Sequence, residues 1–245
     1  MNITNQAILW YALCYKGDWK KIEKAIKEKE PYKIKKIPYS YVTIVDAEYP
    51  TCFKSLQYPP WILFYCGNLN LLEQECISIV GSRQCSQEAI ENTKIVVDQL
   101  KKKYIIVSGL AKGIDAAAHW NSLDTGTIGI IGCGIDQIYP KENKRLYETM
   151  KRNYLILSEY PMGVAPLRHH FPWRNRLIAA AGKALIVIQA TYKSGTMLTV
   201  DACLELSKTV YCLPSKFNDQ KYPGCNYLIS NGAQIIIDKK DLDTI

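Results

Sequence analysis

Short, continuous apolar runs recur along the chain at 77–80, 104–107, 127–131, 154–157, 184–188, 209–212 and 234–237, and amphipathic stretches fill most of the gaps. The interval after the first run shows how the two periods alternate. Ala89, Thr93, Val96, Val97 and Leu100 recur at three- and four-residue steps while Glu91, Lys94, Lys101 and Lys102 fall elsewhere, which predicts a helix with one apolar face. The flanking runs, Ile77–Val80 and Tyr104–Val107, are unbroken and rich in β-branched residues, as expected of strands buried on both faces of a parallel sheet. Strict βα alternation implies right-handed crossovers with helices on both faces. The expected fold is therefore α/β, an extended Rossmann-like, doubly wound, mostly parallel sheet. A closed eight-stranded barrel would need one more βα repeat, and none of the usual length is present.

Ahead of this alternation the pattern changes. Ile8, Leu9, Ala12 and Leu13 form one stripe and Trp19, Ile22 and Ile26 another, so residues 1–38 read as an abbreviated helical region appended to a Rossmann-like domain at 39–245. Pro31, Pro38, Pro50 and the Pro59-Pro60 pair punctuate the stretch from 31 to 60, and Val42–Val45 and Ile62–Tyr65 read as short lead-in strands.

Composition narrows the class. A chain of 245 residues, 48% hydrophobic, supplies an ordinary core. There is neither an apolar run near eighteen residues nor a signal-like N-terminus, so a cytoplasmic protein without membrane contact is expected. Nine cysteines, an odd number and without any C-x-x-C pair, argue against a disulfide framework or a zinc ribbon, and neither a metal nor another cofactor is predicted. The net charge of +8 hints at an anionic partner, but nine lysines against four acids in residues 1–36 account for +5 of it. The sheet domain thus needs a local cluster rather than a basic coat. All six arginines follow residue 80, and Arg168, Arg174 and Arg176 fall close together.

Glycines mark the turns where such a cluster would sit. Gly81, Gly109, the Gly132-Cys133-Gly134 pair and Lys193-Ser194-Gly195-Thr196 each follow a predicted strand, and these turns converge on the carboxyl edge of the sheet, where backbone N–H groups can cradle a phosphate. Any one of these glycines could instead serve only to tighten its turn. Gly132-Cys133-Gly134 lacks the third glycine and the following acid of a dinucleotide fingerprint, and no Walker A loop is present. The segment His169–Arg176 mixes rings and guanidinium groups, the ingredients of a single-strand surface, although Phe171 and Trp173 would equally suit a core. His119, four residues after Asp115, reads as an oriented structural histidine ahead of an acid-base partner.

The segments Gly81-Ser82-Arg83, SGLAKGIDAAAH (108–119), GCGIDQIYPKEN (132–143), LSEYPMG (157–163), HFPWRNRLIAA (170–180) and KSGTMLT (193–199) resemble, in order and spacing, the DNA-processing protein A family, DprA or Smf. The resemblance implies a non-enzymatic protein that binds and protects single-stranded DNA during natural transformation and helps load the RecA recombinase. It puts Arg83 and a lysine of the 139–144 segment, Lys144 in preference to Lys141, in the DNA pocket, with Gly81 and Ser82 offering backbone or hydroxyl contacts. Ser108, Gly109, Arg174, Lys193, Ser194 and Gly195 complete the expected DNA-binding set, with Phe171 or Tyr147 stacking a base. Members pair through their C-terminal third, here about 196–237, so a homodimer is expected. Many relatives carry a winged-helix-like domain beyond the point at which this sequence stops, and that module is not expected here. Two other readings stay open: a Rossmann-like nucleoside-monophosphate hydrolase using Glu159 or Asp115, and a sensor of a small nucleotide.

Overall fold

The computed structural model describes residues 3–245. Two helices, α1 (Asn5–Cys14) and α2 (Trp19–Glu28), lead into β1 (Ser40–Thr43) and β2 (Ile62–Gly67). The alternation then runs β3 (Cys76–Val80), α3 (Gln87–Leu100), β4 (Ile105–Ser108), α4 (Ile114–Trp120), β5 (Thr127–Ile131), α5 (Lys144–Asn153) and β6 (Leu155–Ser158). It ends with α6 (His170–Ala181), β7 (Leu185–Val187), α7 (Gly195–Glu205), β8 (Val210–Cys212), α8 (Gly224–Ser230), β9 (Gln234–Ile235) and α9 (Lys239–Asp243).

Nine strands form one sheet in the order β1-β2-β6-β5-β4-β3-β7-β8-β9. From β6 to β9 every pairing is parallel, whereas β2 runs antiparallel to both β1 and β6. The expected doubly wound, mostly parallel sheet is thus present. Strand order reverses between β3 and β7: successive strands after β3 are added on one side and those after β7 on the other. At such a reversal, crossovers leave toward opposite faces and open a crevice at the carboxyl edge.

Strand residues divide by parity between the two faces. Val80, Val107, Ile128 and Leu157 share one core with Leu177, Ile178, Val200 and Leu228 of α6, α7 and α8. On the opposite face, Ile77, Ile79 and Ile106 meet Val96, Val97, Ile114 and Ala118 of α3 and α4. Each of the five positions on the apolar stripe of α3 is buried, and Ser86 caps that helix by accepting from the Ala89 N–H. α1 and α2 complete this second face: Ile8, Leu9, Ile22 and Ile26 pack with Phe64, Ile131, Ile156 and Tyr147. Thr4 and Asp18 cap these two short helices, and Lys29 ends α2 in the left-handed conformation. Fully burying one side chain such as Phe64 stabilises the fold by about 2–3 kcal/mol, so the N-terminal helices are held by the sheet they cover.

Candidate nucleic-acid interface

Three turns meet at the carboxyl edge of β3, β4 and β5. After β3, the Ser82 N–H donates to the Gln189 carbonyl at 2.8 Å and the Ser82 carbonyl accepts from the Ile114 N–H at 3.3 Å, so the turn is fixed on both sides. Arg83 is the first exposed residue beyond that clamp. A Cβ at Gly81 would lie 2.6 Å from Ile114 Cγ1, and one at Gly113 only 2.3 Å from the Ser82 carbonyl oxygen, so glycine is needed where the β3 and β4 turns cross. The β4 turn carries Leu110 at φ 56°, and Asn143 holds it by donating its amide to the carbonyls of Leu110 and Ala111, both at 3.0 Å.

These constraints enclose a hollow lined by Arg83, Gly109, Lys112, Tyr139, Phe171 and Arg174. The Arg83 guanidinium lies over the Phe171 ring, 5.3 Å from its centroid, and the Tyr139 ring centroid is 5.5 Å from that of Phe171. Phe171 is half-buried in the first turn of α6, and Tyr139 is exposed. A cation held beside an accessible ring offers one group to a phosphate and one to a base. Lys112, across the mouth, is tied to Glu142 in an exposed ion pair.

Other expected contacts fall elsewhere. Ser108 is fully buried and donates its hydroxyl to the Ile79 carbonyl at 2.6 Å, so it braces β4 against β3 instead of facing solvent. Arg174, only 4% exposed, donates to the carbonyls of Gly109 and Ile130 and, through Nε, to Asn175 Oδ1. It closes the floor of the hollow and ties the ends of β4 and β5 together. Gly109 makes room for it, because a Cβ there would sit 2.7 Å from Asp115 Oδ2 and 2.8 Å from Arg174 Nη2. Ser82 is buried, with its amide already bonded. Tyr147 is buried and donates its hydroxyl to the Ile135 carbonyl, which leaves no ring face for a base. Lys193, Ser194 and Gly195 open α7 after β7 and take no part in lining the hollow. Gly195 is exposed with nothing within 4 Å of a notional Cβ, while Ser194 donates to the Thr191 carbonyl. Lys144, exposed, begins α5 next to the Asn143 clamp and so emerges beside the hollow.

The sequence profile described as DNA recombination-mediator protein A matches residues 40–244. The chain belongs to this family. DNA processing protein DprA of Streptococcus pneumoniae is 41% identical over 202 residues, covering 82% of this chain and 72% of that protein. The X-ray structure of the pneumococcal protein superposes with a TM-score of 0.82 at 34% identity, covering 99% of this chain and 93% of that one. A Helicobacter pylori DNA processing protein A, whose structure concerns its single-stranded DNA binding mode, aligns with a TM-score of 0.78 at 32% identity, covering 84% and 96% of the two chains.

In this member of the DNA recombination-mediator protein A family, both candidate catalytic acids are buried. Glu159 accepts two hydrogen bonds from Arg176, at 2.5 and 2.6 Å, and Arg176 lies over the Trp173 ring at 4.2 Å and donates to the Tyr58 carbonyl. Asp115 is buried beneath Gly109 beside Arg174, and burial raises its carboxyl while the Arg174 charge acts in the opposite sense. His119 is structural, its Nδ1 2.6 Å from Thr127 Oγ1, and burial lowers its imidazole to about 3. His170 stacks on Tyr160 at 3.9 Å, and burial lowers it too. Lys112, Tyr139 and Asn143 stand in motif segments of the sequence, but only the crossing of the turns singles them out.

Proposed function

We propose that the chain binds single-stranded DNA at the hollow between Arg83 and Phe171, protects it, and helps load a RecA-type recombinase onto it, without catalysing a reaction itself. The observation that carries this reading is the exposed Arg83 guanidinium set over a half-buried ring on turns pinned by Ser82 and Asn143. Arg83 and Lys144 supply charge to the strand, and Phe171 or Tyr139 supplies a stacking face. The single-strand binding of the Helicobacter relative supports the same ligand here. Recombinase loading, a role in transformation and a cytoplasmic location rest on family membership; among the described residues no helix is long and apolar enough to cross a membrane. The hydrolase alternative loses support because Glu159 is held by Arg176 and Asp115 is buried beneath the Gly109 turn.

A homodimer fits the surface. Half of the exposed large apolar side chains among the described residues lie between 192 and 237, including Leu198, Leu204, Tyr227, Ile235 and Ile237, and β9 forms an unpaired sheet edge. The ligand is tested by fluorescence anisotropy with single- and double-stranded oligonucleotides of equal length across a salt series. Backbone neutralisation and stacking predict tighter binding to single strands with little sequence dependence. Equal or tighter duplex binding would refute the reading.

A further inference from the structure

The lysines of α2 and those of the segment after it are differently placed. Lys21, Lys24 and Lys27 each pair with an acid on their own helix, Asp18, Glu28 and Glu23. Lys33, Lys35 and Lys36 lie exposed in a segment, residues 31–39, that contains no acid. α5 offers a second such surface, where exposed Arg145 and Arg152 and half-buried Lys151 stand against a single acid, Glu148, while Leu146, Tyr147 and Met150 face the core. Among the described residues none of these six cations forms a salt bridge.

The two surfaces join. Lys151 lies 5.7 Å from the Tyr39 ring centroid, and Tyr39 packs with Tyr147 and Met150 just before β1. The chain between Lys36 and α1 is tied down where the Lys35 N–H donates to Gln6 Oε1 at 3.2 Å. Cations and rings alternate along the whole line: Arg145 over Trp120 at 5.8 Å, Lys151 over Tyr39, and Lys33 over Trp10 at 6.0 Å. Trp120 is 42% exposed, and Trp10 and Tyr39 are half-buried. The line starts where α5 starts, one residue from the Asn143 clamp, and α5 spans about 15 Å at 1.5 Å per residue.

We propose that a single strand held at the Arg83 hollow continues along α5 onto the 33–36 segment, so that the N-terminal region forms the distal part of one extended DNA track. The proposal rests on the single-strand reading of the hollow. Unpaired cations interleaved with accessible rings suit a backbone with unstacked bases, and among the described residues the cations on this line, five exposed and Lys151 half-buried, have no anion paired with them. A solvated surface helix ordinarily intersperses both signs, as α2 does here.

Strand length separates the two claims. Fluorescein-labelled oligothymidylates of about 6 and about 30 nucleotides, chosen to fit the hollow alone or to run past it, are titrated by anisotropy. Lys33→Ala/Lys35→Ala/Lys36→Ala and Lys151→Ala/Arg152→Ala should leave affinity for the short strand within twofold of wild type. Each should weaken the long one at least about tenfold, with the slope of log affinity against log salt falling by about 0.7 per lost contact on the long strand only. The charge-keeping Lys33→Arg/Lys35→Arg/Lys36→Arg protein should retain long-strand affinity. Unchanged long-strand affinity would overturn the track and leave the strip to an acidic protein partner. Equal losses on both lengths would overturn it as well, since the substitutions would then act through the hollow. Failure of the wild-type protein to bind either strand would refute the parent reading and the track together.

Discussion

At the scale of single residues, the arginines at the strand ends have been put to opposite uses. Arg83 is exposed, while Arg174 is spent on the carbonyls of Gly109 and Ile130 and Arg176 on Glu159. Arg83→Ala should therefore remove one charge-assisted phosphate contact of about 1.5–3 kcal/mol, lowering single-strand affinity by about one to two decades. The salt slope should fall by about 0.7, and urea unfolding should be nearly unchanged. Normal affinity of that variant at physiological salt would remove Arg83 from the interface. Its exposed place at the sheet edge was legible in the sequence because a residue in the turn after a buried strand emerges at the carboxyl edge whatever the details. The fate of Arg174 was not legible. Nothing in HFPWRNR says that two strand-end carbonyls lie within reach of its guanidinium, and an isolated cationic side chain beside rings reads as surface. Ser108 misleads in the same way, since a serine closing a strand looks like a phosphate ligand until its hydroxyl is found on the neighbouring strand.

Among elements, the parallel strands were readable to within one or two residues because burial on both faces leaves an unbroken apolar run. Direction was not: β1 and β2 have strand-like composition, but composition does not say which way a strand runs, and only their register shows them antiparallel. β9 is shorter than its apolar run because Ile235 and Ile237 are 43% and 75% exposed, at the edge where nothing covers them. The contact between α4 and β5 carries a pH dependence. His119 on α4 bonds Thr127 on β5, and its folded pKa of about 3 lies below the unfolded value of about 6.5, so the unfolded chain takes up the proton first. Its share of stability is intact above pH about 6.5 and is lost as pH falls toward 3, at about 1.4 kcal/mol per unit. Urea midpoints should then show a His119-dependent loss of about 2 kcal/mol between pH 6.5 and pH 5. His119→Gln, less stable at neutral pH, should have a shallower profile; identical slopes would remove His119 from the acid response.

For the whole molecule, the apolar surface between 192 and 237 predicts self-association. Light scattering at micromolar concentration should return twice the mass of 27.9 kDa, and Ile235→Asp/Ile237→Asp should raise the dimer dissociation constant at least about tenfold by placing charge on the unpaired edge. A wild-type monomer would contradict this. The reversal of strand order between β3 and β7 then acquires a meaning beyond topology. Arg83, Gly109, Lys112, Tyr139 and Asn143 all lie on the β3 side of that seam, and Phe171 is delivered by the helix that crosses it, whereas the proposed pairing surface belongs to the strands and helices beyond. On the proposed reading, grip and valency fall to different halves of the sheet. A protomer that cannot pair should hold a short strand as firmly as before and lose only the avidity that two linked hollows give to a long one.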